Sequence, residues 1–346
     1  MRVLLTADPG IPVPPKLYGG IERIVDGLAN ELRKRGHQIG LIASNDSKCQ
    51  VNHFYPWPFT RPNNRSEHFQ HLRFLRSTAR AWNPDIVHSF SRLGYLVGAL
   101  GAGFPGIMSY QRYTGGSRIR WLTRLAGRRL AFTACSQFIA SMGKDWGGNW
   151  HAIPNFVDIN LYKYREAVAA DAPLVFLSRV ERIKGVHHAI AIAKQAGRQL
   201  VIAGNHADDG PEGEYWRSEI LPQIGQDGVT YVGPVDDAQK NELLGKALAL
   251  IVPIEWDEPF GIVFIEALAC GTPVITCPRG ALPEIVRDGV EGFLIKEVAD
   301  GVCAVSRMGE ISRAACRRRV EEAFSAPVVV DQYMRLYTEV TRQARK

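Results

Sequence analysis

Short apolar segments alternate with amphipathic helical segments along almost the whole chain. Between positions 21 and 32, apolar residues recur at i, i+3, i+4, i+7 and i+11, which is the spacing of one buried face of a helix. Gly36 follows at a position where helices commonly end. This stripe lies between two apolar segments, residues 3–7 and 38–43, that are typical of buried strands. Strands that alternate with helices predict a parallel sheet covered by helices on both faces.

The alternation continues to the C terminus and predicts an α/β fold with two domains. At 346 residues the chain is too long for one ordinary hydrophobic core. We predict one doubly wound domain over residues 1–165 and a second over residues 166–328, each binding its ligands at the carboxyl ends of its strands. The polar, alanine-rich residues 161–173 are interpreted as the linker. Further strands are predicted at residues 85–88, 131–135, 174–178, 199–203, 229–232, 249–253 and 273–276, and further helices at residues 186–196, from about residue 262, and at residues 331–343.

Charge is distributed unevenly between the two predicted domains. Residues 1–165 contain 22 Lys and Arg against 9 Asp and Glu, whereas residues 166–346 contain 20 against 26. Between positions 86 and 144 there is no acidic residue at all. Two halves of opposite net charge indicate two different binding functions. A nucleic-acid function would need a recognition module or base-stacking aromatic residues, and the sequence shows neither.

The remaining bulk features indicate a cytoplasmic protein. No apolar run reaches the roughly 18 residues of a membrane span. The start, MRVLLTADPG, is typical of a strand followed by a turn rather than of a signal peptide. The six cysteines are scattered, without a C-x-x-C pair or a His/Cys cluster at zinc spacing, so we expect reduced thiols.

The segment EWDEPFGIVFIEALACGTPV places two carboxylates around a glycine turn that follows a strand and opens a helix. The first amides of that helix, those of Phe260, Gly261 and Ile262, are expected to be unpaired beside the positive end of the helix dipole, which attracts phosphate. Glu258 and Glu266 would repel phosphate but can accept hydrogen bonds from sugar hydroxyls. Since Glu266 lies about one turn, roughly 6 Å, into the helix, the segment could hold sugar, diphosphate and ribose in a row. The alternative is a plain buried helix with Glu258 as its cap and Glu266 exposed.

This segment resembles the E-x7-E signature of the family 4 retaining glycosyltransferases of the GT-B fold, with Glu258 and Glu266 as the two glutamates. E-x7-E alone is a modest signal, but five motifs in the same order are specific. Resemblance is weakest at residues 48–83 and 204–226. The other four motifs are PPKLYGGIE at 14–22, DIVH at 85–88, IPNFVD at 153–158 and SRV followed by KG at 178–185.

The resemblance implies two Rossmann-like domains that face each other across a cleft. In such a fold the C-terminal helix, at about residues 329–346, packs back on the first domain, which takes the acceptor. The second domain binds the nucleotide-sugar. Two residues depart from the family pattern, which usually has glycine at both positions. Ser178 is a small change, whereas Phe156 leaves the backbone shape of the interdomain crossing open, but not the fold.

Arg179 and Lys184 follow a predicted strand and precede a helix, where two cations can neutralise charge that develops on a leaving diphosphate. The alternative is a pair of ordinary surface salt bridges. The resemblance implies that both hold the donor diphosphate, and it places His88 near the transferred sugar. A lone histidine at a strand end is otherwise more often a hydrogen-bonded core residue.

Glycines at strand ends are further candidates. Gly19 and Gly20 form either a flexible turn or a second amide cradle for the diphosphate, and the resemblance favours the cradle. It also implies that backbone groups at Gly204 and around Val232 grip the base, so the sequence does not identify the nucleotide. We expect no metal and no cofactor, because there is no D-x-D motif and the two cations supply the charge that a metal would bring.

Residues 117–130 form a predicted basic helix with Ile119, Leu122, Leu125 and Ala126 on one face. One interpretation is a core-packing helix with a solvated basic face. The other is docking on an anionic membrane or on a phosphorylated acceptor. The candidate contact residues are Arg118, Arg120, Trp121, Arg124 and Arg128.

These observations favour a retaining, metal-independent glycosyltransferase of the hexosyltransferase type, active in polysaccharide biosynthesis. Its partners would be a nucleotide-sugar donor and a glycan or lipid-linked acceptor, with peripheral contact to the inner face of the membrane left open. Two alternatives remain. One is a nucleotide-sugar epimerase of the same architecture, and the other is a non-catalytic protein that binds anionic glycan or lipid.

Overall fold

A computed structural model of the chain describes residues 1–15, 19–62, 64–113 and 115–345. It divides into two compact units, of which the first comprises Met1–Phe156 with Ala326–Lys346 and the second Val157–Ser325. The division thus falls after residue 156 rather than after residue 165. The last helix belongs to the first unit, as the predicted GT-B fold requires.

The first unit is built on a parallel sheet with strand order β3-β2-β1-β4-β5-β6-β7 among the described residues. Its order reverses between β1 and β4, so the loops after these two strands start side by side. The strands are β1 Arg2–Thr6, β2 Gln38–Ala43, β3 His53–Pro56, β4 Ile86–Ser89, β5 Gly106–Tyr110, β6 Leu130–Ala134 and β7 Asn149–Ala152. The helices are α1 Gly20–Lys34, α2 Arg65–Trp82, α3 Leu93–Leu100, α4 Ser117–Ala126, α5 Gln137–Lys144 and, at the C terminus, α13 Ala326–Ala344.

The second unit contains another parallel sheet, with strand order β10-β9-β8-β11-β12-β13 among the described residues. The predicted α/β class with two parallel sheets is therefore confirmed. The strands are β8 Leu174–Leu177, β9 Leu200–Ala203, β10 Val229–Gly233, β11 Ala249–Val252, β12 Val274–Thr276 and β13 Gly292–Leu294. The helices are α6 Val186–Gln195, α7 Gly210–Tyr215, α8 Asp237–Lys246, α9 Ile262–Ala269, α10 Leu282–Ile285, α11 Val298–Ser306 and α12 Arg313–Ala323.

Residues 161–173, predicted as the linker, lie inside the second unit. The backbone N–H of Arg165 donates to the carbonyl of Cys270 at 3.1 Å, and its guanidinium pairs with Glu242 at 2.7 Å. The guanidinium of Arg313 donates in turn to the carbonyl of Arg165 at 2.8 Å. Residues 161–173 are polar and show no helical or strand periodicity because they are an irregular segment packed on the second unit. They are not a free linker between the domains.

No described helix is both long enough and apolar enough to cross a lipid bilayer. All six cysteines are free thiols. Three of them, Cys135, Cys270 and Cys316, are buried, and burial raises the pKa of the Cys270 thiol to about 12. A thiol with so high a pKa stays protonated and packs as a small apolar group.

His88 on β4 lies in the core of the first unit and is fully buried. Its Nδ1 is 2.7 Å from the Tyr337 hydroxyl on α13, and its Nε2 is 2.6 Å from Ser109 Oγ on β5. Burial lowers the pKa of the imidazole to about 3. The expectation that His88 lies near a transferred sugar is therefore not supported, since both ring nitrogens are already hydrogen-bonded inside the protein and connect α13 to the sheet.

The burial of His88 has a consequence for acid stability. An unfolded imidazole takes up a proton below its ordinary pKa of 6.5, whereas the folded one does so only near 3. The neutral His88 imidazole therefore makes its full contribution to the free energy of unfolding above pH 6.5. As the pH falls below 6.5, that free energy decreases by about 1.4 kcal/mol per pH unit. We expect the wild-type advantage over His88→Gln in free energy of unfolding to shrink by about 2–3 kcal/mol between pH 6.5 and 4.5. Denaturant unfolding at both pH values measures this, and a difference that does not change with pH would contradict it.

Candidate functional site

The candidate site lies on the second unit, where the strand order of its sheet reverses. β8 has β9 on one side and β11 on the other, so the loops after β8 and β11 start side by side. Open α/β sheets bind their ligands at such a point. The loops are in contact: the backbone N–H of Glu255 donates to the carbonyl of Ile183 at 2.9 Å, and a Cβ on Gly185 would lie 1.9 Å from the carbonyl oxygen of Pro253.

Lys184 and Glu258 form a shielded ion pair between these two loops. Lys184 Nζ donates to Glu258 Oε2 at 2.7 Å, and only 9% and 12% of the two side chains are exposed. The indole N–H of Trp256 donates to the same oxygen at 3.0 Å, and Nζ lies 4.8 Å from the centroid of the indole ring. None of the described residues donates to the other carboxylate oxygen, Oε1. Because an ammonium has three donors, the pair retains both an acceptor and donors for a ligand.

The loop after β12 fixes the backbone that carries Glu258. The N–H of Ala281 donates to the carbonyl of Glu258 at 2.8 Å. Gly280 has a φ of 59°, and a Cβ at this position would lie 2.3 Å from the same carbonyl oxygen. Glycine is therefore required at position 280, since any side chain there would displace the loop and its carboxylate.

The loop after β11 ends at the N terminus of α9. Gly261 precedes the helix with a φ of 84°, which favours glycine. Phe260 is buried, and its ring packs edge-on against Phe324 with centroids 5.9 Å apart. Within the described parts of the chain, the N–H groups of Phe260, Gly261 and Ile262 donate to no backbone acceptor. Such groups, beside the positive end of a helix dipole, suit an anion.

Glu266 lies in the second turn of α9 and is only 6% exposed. Its Oε1 accepts the Tyr162 hydroxyl at 2.7 Å and Lys240 Nζ at 2.5 Å. No described residue donates to its Oε2. The alternative of an exposed, unengaged Glu266 is therefore excluded, and the carboxylate is held so that one oxygen remains open to a ligand.

Arg179, Gly204 and Val232 lie at the carboxyl ends of β8, β9 and β10. The Arg179 side chain is 38% exposed and forms an ion pair with Glu181. Gly204 has a φ of 139°, and a Cβ there would lie 1.8 Å from the carbonyl oxygen of Ser178, so the packing of two strand ends itself requires glycine. Val232 is exposed on the edge strand. All three therefore lie on the same edge of the sheet as Lys184.

Gly19 and Gly20 belong to the first unit and form the start of α1. Gly19 precedes the helix with a φ of 150°, and Gly20 is its first residue. The preceding positions 16–18 of this motif lie outside the described residues. A Cβ on Gly19 would lie 3.0 Å from Oε2 of Glu22, a buried residue. Burial raises the pKa of the Glu22 carboxyl, with Asp8 adding to the effect, so the predicted cradle has a carboxyl group beside it.

Helix α4 exposes more apolar surface than the sequence predicts. Ile119, Leu122 and Ala126 are buried as expected, but Leu125 is 61% exposed, as is Trp121 one turn before it. The arginines around them are exposed, and none forms an ion pair with a described residue. These arginines are Arg118, Arg120, Arg124 and, just after the helix, Arg128. Together with Trp121 and Leu125 they are called the basic surface below.

Three residues of the site are not predicted from the sequence. Trp256 and Lys240 hold the two glutamates, and Tyr162 contacts Glu266 from the segment predicted as a linker. Trp256 stands inside the motif segment and could have been noticed there. Tyr162 and Lys240 carry no sequence signal, because only the tertiary fold brings them to Glu266.

Two family models together match most of the chain. Residues 18–161 match the model for Glycosyltransferase Family 4, and residues 166–304 match the model for Glycosyl transferases group 1. Glycogen synthase of Mycobacterium tuberculosis (strain CDC 1551 / Oshkosh) is 26% identical over an alignment 378 residues long, gaps included, that covers 93% of this chain and 89% of that protein. D-inositol 3-phosphate glycosyltransferase of Mycobacterium bovis (strain BCG / Pasteur 1173P2) is 30% identical over an alignment 183 residues long, gaps included, that covers 46% of this chain and 38% of that one.

Solved structures share the fold over nearly the full length. AviGT4, a glycosyltransferase involved in avilamycin A biosynthesis, has a TM-score of 0.73 and 24% identity, covering 99% of this chain and 98% of that one. Anabaena Alr3699/HepE in complex with UDP-glucose has a TM-score of 0.74 and 21% identity, covering 98% and 99%. At these identities the likeness shows the two-domain α/β fold.

Proposed function

Because this chain belongs to the family 4 glycosyltransferases of the GT-B fold, we propose that it transfers a sugar from a nucleoside diphosphate with retention of anomeric configuration. The glycosyltransferase activity follows from the family. The proposed donor rests on one observation: Glu258 and Glu266 flank the unpaired N–H groups at the start of α9, and each has one carboxylate oxygen that accepts from no described residue. The proposed retention rests on the resemblance of the E-x7-E segment to the retaining family. A pyrophosphate on those N–H groups, with sugar hydroxyls on the carboxylates, uses every one of these groups.

The proposed chemistry depends on stabilising the leaving group. As the bond between the anomeric carbon and the phosphate oxygen breaks, negative charge grows on the diphosphate. The helix N–H groups, Lys184 and Arg179 are fixed donors for that charge. The hydroxyl oxygen of the acceptor then bonds to the anomeric carbon on the same face, without a protein nucleophile, and its proton passes to the phosphate oxygen of the leaving diphosphate. Because protein cations supply the positive charge, the proposal requires no metal ion.

The relatives support the class of substrates. Anabaena Alr3699/HepE binds UDP-glucose, and the mycobacterial relatives are named for glycogen and for inositol phosphate as their products or substrates. We place the acceptor, a glycan or a lipid-linked glycan, on the first unit, whose sequence carries the positive charge. The charge favours an anionic acceptor.

The direct test combines a donor screen with a transfer assay. Thermal unfolding with UDP-, GDP-, ADP- and dTDP-sugars identifies the donor, since a ligand that binds the folded state raises the unfolding temperature. Incubation of that donor with glycan acceptors should give a glycoside with the donor's anomeric configuration, which NMR reports. An epimerised nucleotide-sugar formed without acceptor would indicate the epimerase instead, and an inverted product would contradict retention.

We further propose that the basic surface docks the protein on anionic lipid. An exposed Trp and Leu one turn apart can enter the headgroup region while the surrounding arginines meet lipid phosphates. The four arginines form no ion pair with a described residue, so docking would not require them to leave a partner. The plain alternative is a solvated basic face.

Replacing Arg120, Arg124 and Arg128 by serine is expected to weaken binding to vesicles with anionic phospholipid by about 100-fold, at ~1 kcal/mol for each basic residue. Vesicle co-sedimentation measures this. Donor-induced thermal stabilisation should be unchanged, because that site lies on the second unit.

The matched control removes three exposed arginines from α2 of the same unit, Arg73, Arg76 and Arg80. This variant loses the same amount of charge, but from outside the basic surface. We therefore expect it to retain most of the vesicle binding. Equal losses in the two variants would show that overall charge, and not the basic surface, is responsible.

A further inference from the structure

Two adjacent histidines at the start of α6 face one carboxylate on the loop after β11. His188 Nε2 lies 2.8 Å from Glu255 Oε1, and His187 Nε2 lies 3.4 Å from the same oxygen. One potential ligand atom from each of the three residues lies within 4.8 Å of the other two. All three side chains are partly exposed, with exposed fractions of 24%, 39% and 37% for His187, His188 and Glu255, so the cluster is accessible to solvent.

We propose that His187, His188 and Glu255 bind a divalent transition-metal ion, of which Zn²⁺ fits best. Two imidazoles and one carboxylate are a known ligand set for zinc, with the fourth tetrahedral position taken by water. Imidazole nitrogen suits zinc far better than Mg²⁺ or Ca²⁺, which prefer oxygen ligands.

Two of the three distances between ligand atoms are close to those of a tetrahedral site, and the third, between the two imidazoles, is within 4.8 Å. Ligand atoms about 2.0–2.1 Å from zinc at tetrahedral angles lie roughly 3.3 Å from one another. The distance from His187 Nε2 to Glu255 Oε1, at 3.4 Å, already matches. His188 Nε2 and Glu255 Oε1, at 2.8 Å, are directly hydrogen-bonded, so this pair has to open by about half an ångström. A partly exposed side chain can do so by small rotations.

His187 is oriented by a residue behind it. Its Nδ1 lies 2.8 Å from the hydroxyl of Tyr215, and that hydroxyl oxygen also accepts the backbone N–H of His187 at 3.2 Å. When Nδ1 donates to this oxygen, the lone pair of Nε2 points away from Tyr215 and is available to a metal. Hydrogen bonds of this kind to the second ring nitrogen are a regular feature of metal-binding histidines.

The backbone that carries the three ligands is also fixed. Glu255 donates its N–H to Ile183, and Gly185 packs directly on Pro253, so α6 and the β11 loop are held together next to the cluster. A metal ion here would join the same two segments that Lys184 and Glu258 join. We therefore assign it a structural role, that of holding the β11 loop on α6. This differs from the expectation of a metal-free chain, but it leaves the proposed transfer chemistry unchanged.

The test uses the full chain without a histidine tag, after treatment with a chelator. Titration with Zn²⁺ against a chromophoric competitor should show one tight site, and saturating Zn²⁺ should raise the unfolding temperature. Both effects should be lost in His188→Gln and in Glu255→Gln, which remove one ligand each at partly exposed positions. Tyr215→Phe, which removes the orienting hydroxyl, should weaken zinc binding by about 10-fold.

The matched control is Cys303→Ser, because Cys303 is an exposed thiol of the same unit that could bind zinc by itself. This variant should bind zinc like the wild type. Absence of zinc binding by the wild-type protein, or binding lost in Cys303→Ser but retained in His188→Gln and Glu255→Gln, would overturn the proposal. Neither result depends on sugar transfer, so the metal site and the proposed function stand or fall separately.

Discussion

Replacing Lys184 by methionine is expected to lower kcat for sugar transfer by about 10²–10³-fold, the usual cost of removing one fixed donor from a developing negative charge. The ammonium lies 2.7 Å from Glu258 and is almost fully shielded from water, where its interaction with a diphosphate is strong. Steady-state kinetics with saturating donor measure the change. Methionine keeps most of the side-chain volume, so the loss would reflect charge rather than a cavity.

Two further variants separate catalysis from folding. Lys184→Met leaves the Glu258 carboxylate without its cation, which destabilises a shielded pair. The double variant Lys184→Met/Glu258→Gln removes both charges and should fold normally, yet remain slow. Lys194→Met removes another lysine of the same unit, one paired with Asp227 at 2.8 Å, and should leave kcat unchanged. If the double variant had the kcat of the wild type, Lys184 would have no role in the proposed mechanism.

Replacing Glu266 by glutamine is expected to raise the dissociation constant of the nucleotide-sugar by about 10–100-fold. A carboxylate that accepts a ribose hydroxyl forms a charge-assisted hydrogen bond, which contributes about 1.5–3 kcal/mol. Glutamine retains the shape and can still accept from Tyr162 or Lys240. Isothermal titration of the intact protein with donor measures the change, while kcat at saturating donor should fall much less.

The matched control for this variant is Lys240→Met. It removes the 2.5 Å ion pair with Glu266, which Glu266→Gln weakens to a hydrogen bond to a neutral amide, but it leaves the carboxylate in place. Both variants should therefore lower the unfolding temperature, whereas only Glu266→Gln should lose most of the donor affinity. Similar losses of affinity would mean that Glu266 acts only by stabilising α9.

Much of the fold can be predicted because its strands are buried on both faces. A continuous apolar run predicts a strand at residues 249–253, and the structure has Ala249–Val252. Strand β3, HFYP, escapes prediction because its side chains are largely exposed at the sheet edge, so it has no apolar run. Strand β13 is missed because Gly292–Leu294 is too short to show a pattern.

Helical periodicity alone placed Leu125 on the wrong face of α4. The buried residues Ile119, Leu122 and Ala126 define a stripe along the helix. At 100° per residue, Leu125 lies about 90° around the helix axis from the centre of that stripe. A residue at the margin of a stripe is buried only if a neighbouring element covers it. That covering depends on tertiary packing, which the spacing of apolar residues does not contain.

The sequence predicts the candidate site in outline but not its pairings. The E-x7-E segment identifies Glu258, Glu266 and the helix start. The partners of the two glutamates lie 74 and 26 residues away in Lys184 and Lys240, so they become visible only in the folded unit. His88 is a second case in which the sequence does not reveal the contact. It is hydrogen-bonded in the core to Tyr337, which lies 249 residues later in the chain.

A crystal structure of the protein with an intact nucleoside diphosphate sugar tests the central claim most directly. We expect pyrophosphate oxygens within about 3 Å of the N–H groups of Phe260, Gly261 or Ile262. We also expect hydroxyls of the donor at the open carboxylate oxygens of Glu258 and Glu266. A donor bound away from the start of α9, or with neither glutamate contacting a hydroxyl, would contradict the account.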